Sequence, residues 1–256
     1  MDQKFEFNEV AAEYDKRRPD YVPELFKDVV AYCPVDKRSR VLEIGMGTGQ
    51  ATRPFLQTNC SLTAVEIGGA LVNFARDKFR VHTNLNILYT AFEDYVQSDH
   101  SFDLIYAASA FHWIPEQIGY PKVFRVLKSG GAFARFSNYP DIYKEGGSLC
   151  AAIQAIYKKY MPPHGAGASG HRPPSGTMAE TCRRYGFIDV ISKTYFRTRV
   201  LNAASYVGLL GTYSDHRALG SEVFAQFAAE IGEAIHRHGG LITVYDTMEL
   251  QLARKP

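Results

Sequence analysis

The sequence predicts an α/β protein built on a doubly wound, mostly parallel sheet, and two observations lead to this prediction. Strand-like and helix-like segments alternate through the first 136 residues, which is typical of parallel strands joined by covering helices. Residues 40–50 then place three glycines directly after a short apolar strand, where such sheets turn from a strand into a helix. Both observations predict a Rossmann-like architecture.

The elements of the predicted core follow from apolar runs and from the glycines that interrupt them. Strands are expected at residues 41–44, 62–66, 87–90, 102–108 and 132–136. Helices are expected at 51–56, beyond Gly68 and Gly69, and before Ser129, where two glycines give a typical helix stop.

The character of the chain changes after residue 138. Residues 139–160 are expected to be largely helical, and 161–174 are rich in Gly and Pro, which predicts an exposed loop. Thr177 and Glu180 have capping-box spacing for a helix at 178–185 that Gly186 closes. A strand at 188–199, helices at 203–213 and 221–238, and a last strand at 242–252 complete the prediction.

Composition limits the class of protein. The 256 residues carry a formal charge of +2 and no long run of Lys or Arg, so an extended nucleic-acid interface is not expected. No signal peptide and no stretch of about 20 apolar residues is found, and the four cysteines are scattered, without metal-ligand spacing. We therefore expect a soluble cytoplasmic protein, without metal or membrane contact, as a monomer or homodimer.

The glycine-rich turn predicts a nucleoside cofactor. Gly45, Gly47 and Gly49 form G-x-G-x-G, one residue shorter than the dinucleotide G-x-G-x-x-G, and Glu43 lies two residues before the first glycine. A carboxylate there suits an uncharged or cationic ligand group better than a pyrophosphate. A plain structural turn is the alternative, because ordinary tight turns also collect glycine.

Glu66 is the second cofactor signal. It ends the second predicted strand, where a carboxylate can accept both ribose hydroxyl hydrogens. NAD enzymes use the same device, so Glu66 indicates a nucleoside without choosing the cofactor, and a solvated strand-end carboxylate is the alternative. Ile67 follows and is placed to cover a face of an adenine.

Four segments resemble the class I S-adenosylmethionine-dependent methyltransferases of the small-molecule type, including trans-aconitate methyltransferase-like proteins. They are the glycine run with Glu43, the region 101–115 with its Phe111-His112-Trp113 run, the turn 126–132, and the opening 7–21 with Arg18 before a proline. The resemblance covers residues 7–136. Beyond residue 139 only the general arrangement is similar, apart from a short stretch at 209–214.

The resemblance implies roles for particular residues. Tyr14 and Arg18 would meet the methionine end of the cofactor or an anionic substrate, although a solvated helix with structural salt bridges is equally compatible. In the adenine-binding turn Ala91 replaces the usual acid, so Phe92 would pack on the ring and Glu93 would replace the missing acceptor, unless Glu93 and Asp94 cap a following helix. The other implied cofactor contacts are Glu43, Gly45, Gly47, Gly49, Glu66, Ile67 and Ala108.

The resemblance also implies a seven-stranded sheet with an antiparallel last strand and a helical lid. Within one methyltransferase domain, residues 1–35 would form a helical cap, 36–138 the cofactor-binding core, and 139–175 and 200–240 lid insertions over the substrate pocket. His112 is the candidate general base, with pocket shaping through backbone hydrogen bonds as its alternative.

The implied function is transfer of a methyl group from S-adenosylmethionine to a small molecule by in-line displacement. A catalytically silent sensor or partner-binding protein that holds S-adenosylmethionine or its product is the alternative. A nicotinamide oxidoreductase is disfavoured by the shortened glycine spacing.

Overall fold

A computed structural model describes residues 11–161 and 177–256 and separates them into two compact units. The larger unit comprises residues 19–138, 177–195 and 248–256. The smaller unit comprises residues 11–18, 139–161 and 196–247. The boundary between them falls within three long strands of one sheet.

The strands of the described residues are β1 Arg40–Ile44, β2 Ser61–Glu66, β3 Leu85–Tyr89, β4 Phe102–Ala108, β5 Leu127–Asp141, β6 Ile188–Asn202 and β7 Leu241–Arg254. The α-helices are α1 Ala11–Arg17, α2 Pro23–Tyr32, α3 Thr52–Leu56, α4 Gly69–Lys78, α5 Glu116–Val126, α6 Ser148–Tyr160, α7 Thr177–Arg184, α8 Ala203–Leu210, α9 Ser214–Arg217 and α10 Ser221–Arg237. A short 3₁₀ turn covers Phe111–Trp113.

The sheet has the strand order β3-β2-β1-β4-β5-β7-β6, and its first five strands are parallel. Near the start of β5, Gly130 N–H donates to the Lys255 carbonyl and Lys255 N–H donates to the Gly131 carbonyl, both at 2.9 Å, so β7 runs antiparallel to β5. The strand order reverses between β1 and β4. In open α/β sheets ligands bind at the carboxyl ends of the strands beside this reversal.

Alternation of side chains along the strands builds two cores in the larger unit. Val41 and Leu104 face one core, which α2, α3 and α4 cover, whereas Leu42 and Ile105 face the other, which α5 and α7 cover. Because both faces of the central strands are buried, these strands are nearly continuous apolar runs.

The smaller unit has its own core. It is formed by side chains of α6, α8, α10 and β7, among them Ile153, Tyr206, Phe227, Ile231 and Val244. Among the residues that the structure describes, no helix is both long and apolar enough to cross a membrane.

The predicted α/β class and the mostly parallel seven-stranded sheet are confirmed, and three local predictions were wrong. The glycines after Ser129 do not stop a helix, because α5 ends at Val126 and pairing with β7 draws these glycines into β5. Residues 139–141 are strand rather than helix.

The helix expected at 203–213 breaks after Leu210. There the Thr212 hydroxyl donates to the Leu209 carbonyl at 2.6 Å, so this carbonyl is no longer available for a backbone hydrogen bond that would continue the helix. Residues 162–174 of the predicted Gly- and Pro-rich loop lie outside the described residues.

Candidate functional site

The glycine turn after β1 requires glycine at each of its three positions. Gly45, Gly47 and Gly49 have φ angles of 68°, 57° and 90°, in the left-handed region that side chains disfavour. Gly45 N–H donates to the Val65 carbonyl at 2.9 Å, which ties the turn to the end of β2. The turn is therefore a fixed, left-handed loop at the carboxyl edge of the sheet.

The loops after β1 and β4 touch each other at the point where the strand order reverses. A Cβ atom on Gly45 would lie 2.5 Å from Cβ of Ala110, far inside van der Waals contact. Gly45 therefore serves both the backbone turn and this close approach. The contact brings the predicted cofactor loop and the 108–113 segment together.

Glu66 joins the glycine loop to the turn after β2. Its Oε2 accepts the Gly47 N–H and its Oε1 accepts the Gly68 N–H, both at 2.8 Å. Burial raises the pKa of this carboxyl, and the hydrogen bonds from Gly68 and Gly47 oppose that shift. The alternative of a solvated strand-end carboxylate is wrong, because Glu66 is only 7% exposed.

Glu43 lies beneath the loop rather than at its surface. It is 1% exposed, its Oε2 accepts a hydrogen bond of 2.6 Å from the Thr52 hydroxyl, and its Oε1 has no hydrogen-bond partner among the described residues. Burial raises the pKa of Glu43 to about 8, outweighing the hydrogen bond from Thr52. The carboxyl is therefore mostly neutral at pH 7 in the absence of a cationic ligand.

The predicted adenine-binding turn follows β3. Ile67, at the end of the neighbouring β2, is half-buried, whereas Phe92 is buried in the second core with the Lys122 ammonium 5.2 Å from its ring centroid. Lys122 also donates to the Glu93 carbonyl at 2.8 Å. The alternative, that Glu93 and Asp94 cap a following helix, is wrong, because residues 91–100 form turns and irregular chain.

The segment after β4 contains the candidate base. Ala108 ends the strand, and His112 lies exposed in the 3₁₀ turn with its ring centroid 5.0 Å from that of Trp113. Desolvation by the surrounding protein and the positive charge of Arg135 lower the pKa of His112 to about 4. The imidazole is therefore neutral at pH 7 and free to accept a proton, but it is a weaker base than an ordinary histidine.

Tyr14 and Arg18 belong to the smaller unit. The Arg18 guanidinium donates from Nη2 to the Thr212 carbonyl at 2.9 Å and lies between the rings of Tyr14 and Tyr213, at 5.0 and 4.2 Å from their centroids. The structure gives Arg18 a structural role in this unit. Contact of either residue with a cofactor or substrate stays a prediction.

Two residues of the site were not predicted. Ser109 has a φ of 52°, and its hydroxyl lies 2.7 Å from the hydroxyl of Tyr21. No sequence pattern marks a serine that adopts left-handed backbone, and the two residues are 88 positions apart. Their proximity is visible only in the folded chain.

Comparison with known proteins identifies the domain that contains this site. Residues 41–131 match the family model described as Methyltransferase domain. An uncharacterized methyltransferase of Mycobacterium tuberculosis is 29% identical over 140 residues, which are 55% of each chain, so the chain matches about half the length of this relative.

Two solved structures share the fold. A putative type II methyltransferase from Anaeromyxobacter dehalogenans has a TM-score of 0.62 and 21% identity, covering 93% of this chain and 97% of its own. Phosphoethanolamine N-methyltransferase 2 of Haemonchus contortus, solved in complex with S-adenosyl-L-methionine, has a TM-score of 0.53 and 13% identity, covering 91% of this chain and 52% of its own. The chain therefore carries a methyltransferase domain at residues 41–131 and shares the overall fold of these methyltransferases.

Proposed function

We propose that the protein transfers a methyl group from S-adenosylmethionine to a small-molecule acceptor by in-line displacement, at the carboxyl edge of the sheet beside β1 and β4. The observation that carries the proposal is the Glu66 carboxylate, which accepts N–H groups from both Gly47 and Gly68 within a domain that matches the methyltransferase model. This arrangement supports a nucleoside ligand and constrains its type.

The residues present fit an adenosyl group. Glu66 accepts the Gly47 N–H at one oxygen and the Gly68 N–H at the other, and carboxylate oxygens can accept further hydrogen bonds, which suits the two vicinal ribose hydroxyls. Half-buried Ile67, next in the chain, offers an apolar surface for the base.

The same residues do not favour a pyrophosphate. A phosphate-binding loop offers its N–H groups to the ligand, but here Glu66 accepts the Gly47 N–H. Two carboxyl groups, Glu43 and Glu66, also lie beneath and beside the loop, where ionisation of either would repel a phosphate. This supports S-adenosylmethionine over NAD.

The chain has little chemistry to perform beyond positioning. When bound, S-adenosylmethionine supplies a methyl group on a sulfonium leaving group that is already activated by its charge. The glycine loop and Glu66 fix the adenosyl end, and the segment after β4 fixes the acceptor side, since in-line geometry is the main requirement. For a hydroxyl or protonated amine acceptor, His112 is the candidate base, weakened by its lowered pKa, whereas a carboxylate acceptor needs no base.

The small-molecule assignment rests on two supports. The Haemonchus contortus relative in fold acts, by its name, on phosphoethanolamine, and the net charge of +2 gives no indication of a nucleic-acid substrate. We also propose that the protein is of the trans-aconitate methyltransferase-like subtype. Residues 139–175 and 200–240 are proposed to form a lid over the substrate pocket.

The test is methyl transfer from S-adenosylmethionine labelled in its methyl group, against a panel of carboxylates, phenols, alcohols and amines, with calorimetric binding measured in parallel. Binding together with label transfer to a panel member supports the proposal. Binding without transfer or S-adenosylhomocysteine formation favours the silent sensor, and absence of binding overturns the cofactor assignment.

A further inference from the structure

Ser109 has a backbone conformation that a serine rarely adopts. It is one of four non-glycine residues with positive φ among those described; the other three, Asn59, His100 and Asp189, are of types enriched in the left-handed region. Ser109 follows the last residue of β4, at the edge where ligands bind in this fold. Strained residues persist where surrounding contacts over-determine them, and they cluster at functional sites.

Three hydrogen bonds hold Ser109 in this conformation. Its N–H donates to the Phe136 carbonyl at 2.8 Å, its hydroxyl lies 2.7 Å from the Tyr21 hydroxyl, and the Asn138 N–H donates to its Oγ at 3.4 Å. The side chain nevertheless remains exposed. The strain therefore presents a fixed hydroxyl to the outside of the sheet edge.

Tyr21 is fixed equally well. Its ring meets that of Phe136 edge-on at 4.9 Å and that of Phe26 at 6.3 Å. These contacts hold the phenol against β5 at Phe136, with its hydroxyl at Ser109. The two hydroxyls form a preorganised pair, and each can donate and accept hydrogen bonds.

The position of the pair follows from the strand order. Glu66 marks the ribose end at β2, the glycine loop follows at β1, and β4 is next in the sheet. Ala110, adjacent to Ser109, contacts Gly45 of that loop. A ligand extending from Glu66 over the loop would therefore bring its opposite end to Ser109.

We propose that the hydroxyls of Tyr21 and Ser109 border the transferable methyl group and orient the polar group of the acceptor. This inference rests on the proposed function and adds positioning residues that the methyl acceptor contacts. It gives a functional reason for the strained serine that follows β4. It also gives the segment before α2 a part in the site.

The test uses calorimetry with two ligands and needs no knowledge of the acceptor. Sinefungin carries an amine at the place of the transferable methyl group, whereas S-adenosylhomocysteine has nothing there. Groups that border the methyl position therefore contribute to sinefungin affinity alone. In Tyr21→Phe and Ser109→Ala, we expect the preference for sinefungin over S-adenosylhomocysteine to fall by about 3- to 10-fold, with S-adenosylhomocysteine affinity nearly unchanged.

Two further variants separate the positioning role of the two hydroxyls from the effects of backbone strain and of losing a phenol hydrogen bond. Ser109→Gly removes the hydroxyl and also relieves the backbone strain. It should lose the preference for sinefungin as Ser109→Ala does, but it should be more stable than Ser109→Ala. Tyr32→Phe removes a phenol hydrogen bond of 2.8 Å to the Asp189 carbonyl, away from the glycine loop, and should keep the wild-type preference.

The outcomes separate the role of Tyr21 and Ser109 from the binding of the cofactor. If both ligands bind and the preference is unchanged in Tyr21→Phe and Ser109→Ala, the positioning role is wrong although the cofactor assignment stands. If Ser109→Gly alone keeps the preference, the hydroxyl of Ser109 has no part in it. If neither ligand binds the wild-type protein, the proposed function fails and this inference fails with it.

Discussion

At the scale of single residues, Glu43 links the glycine loop to the stability of the fold. Its pKa rises from the usual 4.5 to about 8 because the carboxyl is buried. Between these values the unfolded chain loses a proton that the folded protein retains, so this residue destabilises the folded state increasingly as the pH rises from about 4.5 to about 8.

Replacing Glu43 with Gln should remove this pH dependence. We expect Glu43→Gln to gain about 1–3 kcal/mol in free energy of unfolding over wild type at pH 8, and much less at pH 5, as measured by urea denaturation. The surface variant Glu222→Gln should show no such gain. Parallel stability curves for Glu43→Gln and wild type across this range would contradict the burial argument.

A side chain at Gly47 should interfere most with ligand binding. Valine disfavours the φ of 57° at which the Gly47 N–H reaches Glu66, and its branched side chain would occupy space that the ligand needs. We expect S-adenosylmethionine affinity to fall by about 100-fold or more, measured by calorimetry.

A glycine elsewhere in the chain provides the control for backbone strain. Gly239 has a φ of 96°, and no heavy atom lies within 4 Å of the position that a Cβ atom would take there, so Gly239→Val carries similar strain without approaching the loop. Gly239→Val should bind S-adenosylmethionine with wild-type affinity. Retained binding in Gly47→Val would refute the assignment of the loop.

Glu66 is expected to contribute charged hydrogen bonds to the ligand. Glu66→Ala should weaken S-adenosylmethionine binding by about 1–3 kcal/mol, measured by calorimetry after thermal melts have established that the variant is folded. Asp77→Ala, which removes an exposed acid near the end of α4, serves as the matched control. Equal affinities in wild type and Glu66→Ala would remove Glu66 from the ribose site.

At the scale of elements, the contact between the loops after β1 and β4 builds the site. Gly45→Ala introduces a Cβ atom 2.5 Å from that of Ala110, at a φ of 68°. We expect a loss of about 2–4 kcal/mol in free energy of unfolding, from steric overlap and backbone strain together.

The second site of this contact allows a rescue. Adding Ala110→Gly removes the overlapping methyl group but not the strain, so the double variant should recover about 1 kcal/mol or more relative to additivity in urea denaturation. Strict additivity of the two changes would show that the loops do not meet in solution.

The elements near the glycine loop were predictable because their signals are local. Apolar runs and glycines defined β1, β2 and β4, and Glu66 lies at the predicted end of β2. The start of β5 was not predictable, because pairing with Lys255, more than a hundred residues away, makes residues 127–131 a strand. The glycines there predicted a helix end, but hydrogen bonds to a distant part of the chain place them in a strand.

In the candidate site, too, only the features with a local sequence signal were predictable. The glycine pattern predicted a tight turn, and Gly45, Gly47 and Gly49 have the positive φ angles that such a turn requires. The Tyr21–Ser109 pair depends on strained backbone and on residues 88 positions apart, which no local pattern records. The depth of Glu43 beneath the loop likewise results from packing by Thr52 and the rest of the larger unit.

At the scale of the whole molecule, the described residues separate into two compact units. The smaller unit contains residues 139–161 and 196–247, together with residues 11–18 that include Tyr14 and Arg18. A lid role for these segments stays a prediction. The larger unit contains the glycine loop, Glu66 and His112.

Calorimetric titration of the wild-type protein shows directly whether the larger unit binds S-adenosylmethionine at the glycine loop. We predict saturable binding of one equivalent each of S-adenosylmethionine and S-adenosylhomocysteine, in competition with one another, and no binding of NAD. Saturable binding of NAD without binding of either sulfur compound would contradict the account.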